Sequence, residues 1–312
     1  LRITSVGFTA VDVKWNGTPL NIVLKEDAKL LDEVVAIGYG TQKKADLTGA
    51  VGVVNVNDAK KLPQTDIASM LQGQVPGVSV QTSSQPGATA NVRIRGISSF
   101  NNVGPLYVID GLIVNDASNI SPNEIESMQV LKDASAAAIY GARGANGVIL
   151  ITTKHGKSGK PTLDITANYS WQQMPSKIEM MDANQYMKYN ELGYINAQIE
   201  WPAAANGVVP GYMLANTDWQ KAVFQTGFTQ DYNLMYTQGS ENIHNAIGGG
   251  FLDQEGVIDG PKYKRATFRV NTDATYGILT IGENATFYYT EANPWQGGSF
   301  AGALQTPAVT PV

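Results

Sequence analysis

TLDITANYSWQQ, residues 162–173, puts Leu163, Ile165, Ala167, Tyr169 and Trp171 on one side of an extended chain and Thr162, Asp164, Thr166, Asn168, Ser170 and Gln172 on the other. Successive side chains of a strand point to opposite faces, so this is a strand with one apolar and one polar face. Two architectures share that period. A soluble half-buried sheet turns its apolar face to a core. A membrane barrel turns it outward to lipid and keeps the polar face in its lumen. Alternation alone favours the soluble sheet.

The same texture recurs downstream. In KRATFRVNTDATY (264–276), Ala266, Phe268, Val270, Ala274 and Tyr276 oppose Arg265, Thr267, Arg269, Asn271, Asp273 and Thr275. TQDYNLMYTQ (229–238) groups Tyr232, Leu234 and Tyr236, and LTIGENATFYYT (279–290) alternates with Glu283 on the apolar side. NIHNAIGGGF (242–251) is interrupted by glycines. Of the 19 Tyr and Trp residues, 15 follow residue 160, several near strand ends: Trp171, Tyr263, Tyr276, Tyr288 and Tyr289. Aromatic girdles at bilayer interfaces have that distribution, which moves the balance toward a barrel. The weakly periodic stretch 175–228 reads as one long loop, matching the long-loop and short-turn asymmetry of outer-membrane barrels.

Composition narrows the function. The 312 residues carry 22 Lys and Arg against 27 Asp and Glu, a net charge of −5, which excludes a generally basic nucleic-acid binder. Charged residues are only 16 %, so few side chains demand water. There is no Cys, which removes disulfides, thiolate nucleophiles and Cys-ligated metals. The two His, at 155 and 244, make no zinc motif, and no cofactor fingerprint is present. Gly156-Lys157-Ser158 would need Gly at position 151 to be a phosphate loop; Ile151 stands there, so a solvated linker is the reading. No apolar run reaches the ~18 residues of a membrane helix. The chain opens at Leu1 in mid-strand character, so it reads as a mature or truncated product.

Upstream of 160 the pattern is mixed α/β. Three short runs in residues 1–25, with a hairpin signal at Asn16-Gly17, read as the end of a small β-domain. DIASMLQGQ is expected to be a helix capped by Thr65. NVRIRGI is expected to be a strand with Arg93 and Arg95 on one face and Val92 and Ile94 on the other. LYVIDGLIV (106–114) is a hairpin through Asp110-Gly111, with a type I′ turn. Ser121–Glu124 reads as a capping box, SMQVLK as a strand, and Asp133 as the cap of a helix that stops at Gly141. NGVILITT (146–153) is an apolar strand.

DEVVAIGYGTQKKADLTGAV (32–51), NVRIRGISSFN (91–101), PLYVIDG (105–111) and IESMQVLKDASAAAIYGARGANGVILITTK (125–154) together resemble the SusC/RagA-like TonB-dependent outer-membrane transporters. FLDQEGVI (251–258) and ALQTPAVTPV (303–312) are similar to early barrel strands and loops of that group. The resemblance implies an α+β plug inside a 22-stranded antiparallel β-barrel. Residues 1–26 would end a carboxypeptidase-regulatory-like β-sandwich domain. Residues 27–44 would hold the TonB box and a linker, 45–155 the plug, and 156–312 the first barrel strands. About five strands cannot close a barrel, so this is expected to be the N-terminal part of a longer polypeptide.

The function implied is TonB-dependent import of a nutrient, oligosaccharide favoured over peptide, across the bacterial outer membrane, with the N-terminal segment in the periplasm. The implied partners are TonB with its inner-membrane motor, a SusD-like surface lipoprotein and outer-membrane lipid. By resemblance Asp32, Glu33, Val34, Val35, Ala36, Ile37 and Gly38 form the TonB box, an extended segment with a free flank that pairs by strand addition. Arg93, Arg95 and Arg143 match plug arginines, set in the lumen or in plug packing. Asp110 and Gly111 make the plug hairpin, and Gly96, Gly141, Gly144 and Gly147 serve turns and close approaches. Ser98, Ser99, Phe100, Asn101 and Asn102 form a polar loop that could face substrate. Trp201, Tyr212 and Trp219 could stack on sugar rings, although aromatic loop packing is the commoner role of such residues. A non-transporting surface-binding or adhesion β-protein is the alternative. An enzyme is disfavoured, because no nucleophile motif or metal cluster supports it.

Overall fold

The structure, a computed structural model, describes residues 2–3, 11–12, 34–37, 40–43, 51–62, 64–96, 104–133, 137–199, 215–294 and 299–310. The chain divides into two compact units. One comprises Leu1–Thr82 and Ala90–His155, the other Ser83–Thr89 and Gly156–Val312.

In the first unit two short hairpins come first. β1 (Arg2–Ile3) pairs with β2 (Val11–Asp12), and β3 (Val34–Ile37) with β4 (Gly40–Lys43), both antiparallel. The Asn16-Gly17 turn lies outside the described residues. A five-stranded mixed sheet follows, built from β5 (Val51–Val54), β8 (Leu106–Ile109), β9 (Leu112–Val114), β10 (Ile125–Leu131) and β11 (Val148–Thr153), in the order β5-β10-β11-β8-β9. Only the β11–β8 pair is parallel. Strands β6 (Val78–Gln81) and β7 (Asn91–Ile94) form a separate hairpin.

The apolar run VILI explains why β11 is central. Ile149 and Ile151 join Ile67, Met70, Leu71, Ile125 and Met128 in one cluster. Val148 and Leu150 join Leu106, Val108, Leu131 and Ala137 in the other. A strand buried on both faces has no use for a polar alternate, which is why it reads as continuous rather than alternating. Gly147, the residue before β11, has φ +88°, and a Cβ there would lie 2.7 Å from Ile94 Cδ1 and 3.1 Å from the Leu131 carbonyl oxygen.

Several local expectations change. The DIASMLQGQ segment is a single 3-10 turn, Ala68–Leu71, and Thr65 does not cap it. Asp66 acts there instead, accepting from Ser69 Oγ (3.3 Å) and from the Ala90 amide (2.8 Å). Ser121 does accept from the Asn123 amide, but the helix it opens is a 3-10 turn, Pro122–Glu124, that runs straight into β10. Ala138–Gly144 is also 3-10, broken at Gly141 by φ 63°. Short turns with few carbonyl partners suit segments that only have to link sheet strands.

The second unit contains one antiparallel sheet in sequence order: β12 (Gly159–Gln172), β13 (Gly227–Gly239), β14 (Ile243–Glu255), β15 (Lys262–Tyr276) and β16 (Leu279–Asn293). Its register is unbroken across β13–β16. Thr229, Asp231, Asn233, Gln254, Arg265, Thr267, Arg269 and Asn271 are all buried, and register places them on one face. The other face leaves Ile165, Leu234, Ile247, Phe251, Phe268 and Phe287 exposed. This inverts the arrangement of a soluble sheet: polar side inward, apolar side outward.

Of the five aromatics expected in a girdle, Trp171, Tyr276 and Tyr289 point outward. Tyr263 pairs with Gln254 and is buried on the polar face, and Tyr288 pairs with Thr267 on that same face. The outward cluster is completed by Tyr169 and Phe228, whose rings lie 6.3 Å apart, with Trp171 5.3 Å from Phe228. Glu283 sits on the outward face, four residues from the β16 start. Short links, Ser240–Asn242 and Gly277–Ile278, join strands at one end, and the connections 173–226 and 256–261 lie at the other.

The stretch 175–228 is not simply a loop. It contains a fifteen-residue helix, Ala183–Ala197, opened by an Asp182/Gln185 capping box, and a short helix, Trp219–Val223.

Two outcomes test these assignments. Gly147→Ala should destabilise the protein by on the order of 2 kcal/mol or more, from the left-handed backbone and the overpacked Ile94; a lowered urea midpoint of the intact protein reads it. Ala167 pairs with Tyr232 on the outward face, whereas Asn168 faces Asp231 at 3.4 Å. Ala167→Arg should therefore reduce the yield of membrane-assembled protein, since a lipid-facing Arg costs ~2–4 kcal/mol near the midplane, while Asn168→Arg should assemble close to normally. Equal yields would refute the face assignment.

Candidate functional site

Three regions bring functional groups together. The first is the β3–β4 hairpin. Val34, Val35, Ala36 and Ile37 are in strand conformation, paired with Lys43, Gln42, Thr41 and Gly40. The expected free flank is therefore half occupied: the segment's own continuation takes one edge. The hairpin is a two-stranded sheet, so among the described residues the other edge of β3 bears no strand. Asp32, Glu33 and Gly38 lie outside the described residues.

The second is the Asp110 corner of the five-stranded mixed sheet. Asp110 and Gly111 have φ 48° and 84°, the two positive values that a type I′ turn requires. The turn aims the Asp110 carboxylate at the end of β11. There it accepts from the Thr153 amide at 2.8 Å and the Thr153 hydroxyl at 2.6 Å, with His155 Nε2 3.8 Å away. Burial pushes the Asp110 carboxyl up, but the His155 and Thr153 contacts outweigh it and hold the group below its ordinary value. Asp66 goes the other way: burial raises it, against four hydrogen bonds that lower it. Tyr107 is pushed up, first by burial and then by the charges of Asp66 and Asp116.

The arginines are divided among these elements. Arg93 is half-buried in β7. Arg95 does not share its face, because the strand has ended at Ile94 and Arg95 turns to φ 56°. It forms an ion pair with Asp133, so the Asp133 carboxylate works there. Arg143 donates to Asn115 Oδ1 at 3.3 Å. Gly96 has φ 91°, and a Cβ on Gly144 would lie 2.9 Å from the Ala137 carbonyl. Ser98, Ser99, Phe100, Asn101, Asn102, Trp201 and Tyr212 all lie outside the described residues.

The third region is at the long-loop end of the second unit. Lys177–Asp182, Tyr186, Asn216–Gln220 and Ala303–Ala308 enclose a cavity of about 640 Å³. Its wall is pinned by reciprocal bonds. Gln220 accepts from the Ile178 amide (2.9 Å) and donates to the Ile178 carbonyl (2.6 Å). Trp219 Nε1 donates to the Pro307 carbonyl at 3.1 Å, and the Thr217 amide to the Ala308 carbonyl at 2.8 Å. Lys177 pairs with Asp218 at 2.8 Å and, together with the Lys221 amide, holds that carboxyl below its ordinary value. Trp219, one of the aromatics singled out from sequence, is thus a wall residue with a fixed ring. Sequence reading missed the rest of this cavity, although the Asp182-x-x-Gln185 box could have revealed the helix that builds it.

Ser158 and His244 also approach, with Oγ 3.0 Å from Nε2. The Ser158 hydroxyl donates to the Ser240 carbonyl at 2.8 Å, so the imidazole is the donor in the other contact. That is the reverse of a general base activating a nucleophile.

A mixed plug sheet followed in sequence by strands with an apolar outside and a polar inside defines the class of plugged β-barrel receptors. Residues 43–148 match the family model of the TonB-dependent Receptor Plug Domain. The chain is 39 % identical to TonB-dependent receptor P3 of Formosa agariphila, with 88 % of the chain and 26 % of that protein covered. It is 35 % identical to TonB-dependent receptor SusC of Bacteroides thetaiotaomicron, with 94 % of the chain and 30 % of SusC covered. Among solved structures, the RagAB peptide importer in its open-open state matches at TM-score 0.78 and 28 % identity, covering 88 % of this chain and 35 % of that one. The chain thus carries the plug domain of the TonB-dependent receptors and is similar to their SusC/RagA-like members, and it spans about a quarter to a third of the length of these relatives.

The Asp110 corner has a pH signature. With its folded value lowered, the ionised carboxylate contributes stability above the unfolded value of about 3.9, and this is lost as pH falls through the lower folded value. Asn tolerates the same positive φ. The wild-type urea midpoint should therefore exceed that of Asp110→Asn at pH 6, and the gap should close as pH is lowered toward about 2. A gap that does not change with pH would show that the carboxylate charge is not what holds Thr153.

Proposed function

We propose that the whole protein takes up an oligomeric nutrient, oligosaccharide or peptide, across the bacterial outer membrane, driven through TonB. The observation that carries this reading is a TonB-dependent receptor plug sheet followed by strands that are apolar outside and polar inside. Such strands have a use only in lipid. The outer membrane holds no ATP and no useful ion gradient, so work has to come from the inner membrane through a protein contact. The open edge of β3 is where an extended partner segment adds, its backbone hydrogen bonds giving the affinity. In this reading the short-turn end of the sheet and the N-terminal segment face the periplasm, and the long loops face outward. Asp32–Gly38 is the TonB box, and a SusD-like lipoprotein covers the long-loop end. The RagAB structure is described as a peptide importer, which supports the peptide arm of the cargo assignment.

The test is Val35→Pro. Proline removes one backbone donor and restricts the residue before it. Uptake should be abolished, while barrel abundance and surface binding of ligand persist. Val35→Ile keeps backbone and shape and should import nearly normally. If Val35→Pro imports normally, the TonB-box assignment fails. If it lowers folded protein and ligand affinity together, β3 is a structural strand instead.

A further inference from the structure

We propose that the 640 Å³ cavity at the long-loop end is a peptide-binding site selecting an apolar segment that carries a basic side chain; this rests on the import reading above. The volume lies in the range of small-ligand sites, ~300–1,000 Å³. What decides the ligand is which lining groups are left open. Four of the six planar polar side chains in the lining, Asp182, Asn216, Asp218 and Gln220, are engaged in the wall. Gln220 holds the Ile178 backbone, and Asn216 Oδ1 accepts from the Ala183 amide at 3.0 Å. Asp218 is paired with Lys177, and Asp182 caps the helix through the Gln185 amide at 2.8 Å.

The open surface is apolar. Ile178, Met180 and Met181 are 48 %, 47 % and 47 % exposed, beside the fixed ring of Trp219. Methionine is unbranched and polarisable, so a pair of them adapts to side chains of different shape. Of the four charged groups in the lining, Lys177 and Asp218 neutralise each other and Asp182 is set against the helix N-terminus. Glu179 has no ion-pair partner among the described residues, so these lining groups carry a net negative charge. An apolar chain with an adjacent cation complements it. The open Gln305 amide can pair with a peptide backbone.

The test uses the full-length receptor in detergent and isothermal titration with three probes: an amidated hexapeptide alternating leucine and lysine, the same peptide with glutamate in place of lysine, and maltohexaose. The lysine peptide should bind most tightly. Glu179→Gln should weaken it by about 2–5-fold, the effect of one exposed ion pair. Met180→Ser should weaken it by about 5–10-fold through lost apolar contact. Both positions are exposed, so folding is not at stake, and heat-modifiable migration of the barrel checks it. Tighter binding of maltohexaose or of the glutamate peptide overturns the proposal, as does a lysine-peptide affinity that neither variant changes. Val35→Pro separates the two readings. Uptake that depends on Val35, with no peptide binding, leaves import standing and removes this site. Peptide binding with uptake indifferent to Val35→Pro does the reverse.

Discussion

Inside hydrocarbon there is no water to satisfy a backbone N–H or C=O, so a strand there has to find every partner along its sheet. That constraint organises the second unit. The sheet runs in sequence order with a continuous register from β13 to β16, so no backbone group between neighbouring strands is left over. Once the backbone is satisfied internally, the side chains are free to reverse their usual allocation. Arg265 and Arg269 are buried on one face while Phe268, between them in sequence, is exposed on the other.

The plug solves the ordinary problem with ordinary means. β11 is buried on both sides, and its neighbours hold it by a parallel pairing with β8 and an antiparallel pairing with β10. The polar contribution is concentrated at the strand's end. There the I′ turn of the β8–β9 hairpin delivers a carboxylate to the backbone and side chain of Thr153. Two strands adjacent in the sheet but distant in sequence are thereby tied at a defined register.

Much of this was legible in the residues. The alternation of 162–172 and 264–276 gave the faces, because a period of two leaves no freedom once strand conformation is granted. Asp110-Gly111 gave its turn because few residue pairs accept two positive φ values. What was misread involved competition between local and tertiary terms. Thr65 looked like a cap, but the neighbouring Asp66 reaches both Ser69 and Ala90. Arg95 looked like a strand residue, but its ion pair with Asp133 accompanies a left-handed backbone beyond the strand's end. Tyr263 looked like a girdle residue, but the segment 83–89 packs on the polar face: the Gly87 amide donates to Gln254, and a Cβ at Gly87 would collide with the Tyr263 ring. The loop-end cavity joins segments more than a hundred residues apart, which no local pattern encodes.

The β3–β4 hairpin has a mechanical meaning. Its two ends lie side by side, so tension applied across them opens the ladder one pair of hydrogen bonds at a time instead of shearing all of them at once. Each rung is weak, and the chain released from Val34 to Lys43 spans at most about 33–36 Å at full stretch. A hairpin of this kind is a slack reserve: a small force lengthens it at once, and the load reaches the plug sheet beyond Val51 only after that length has run out.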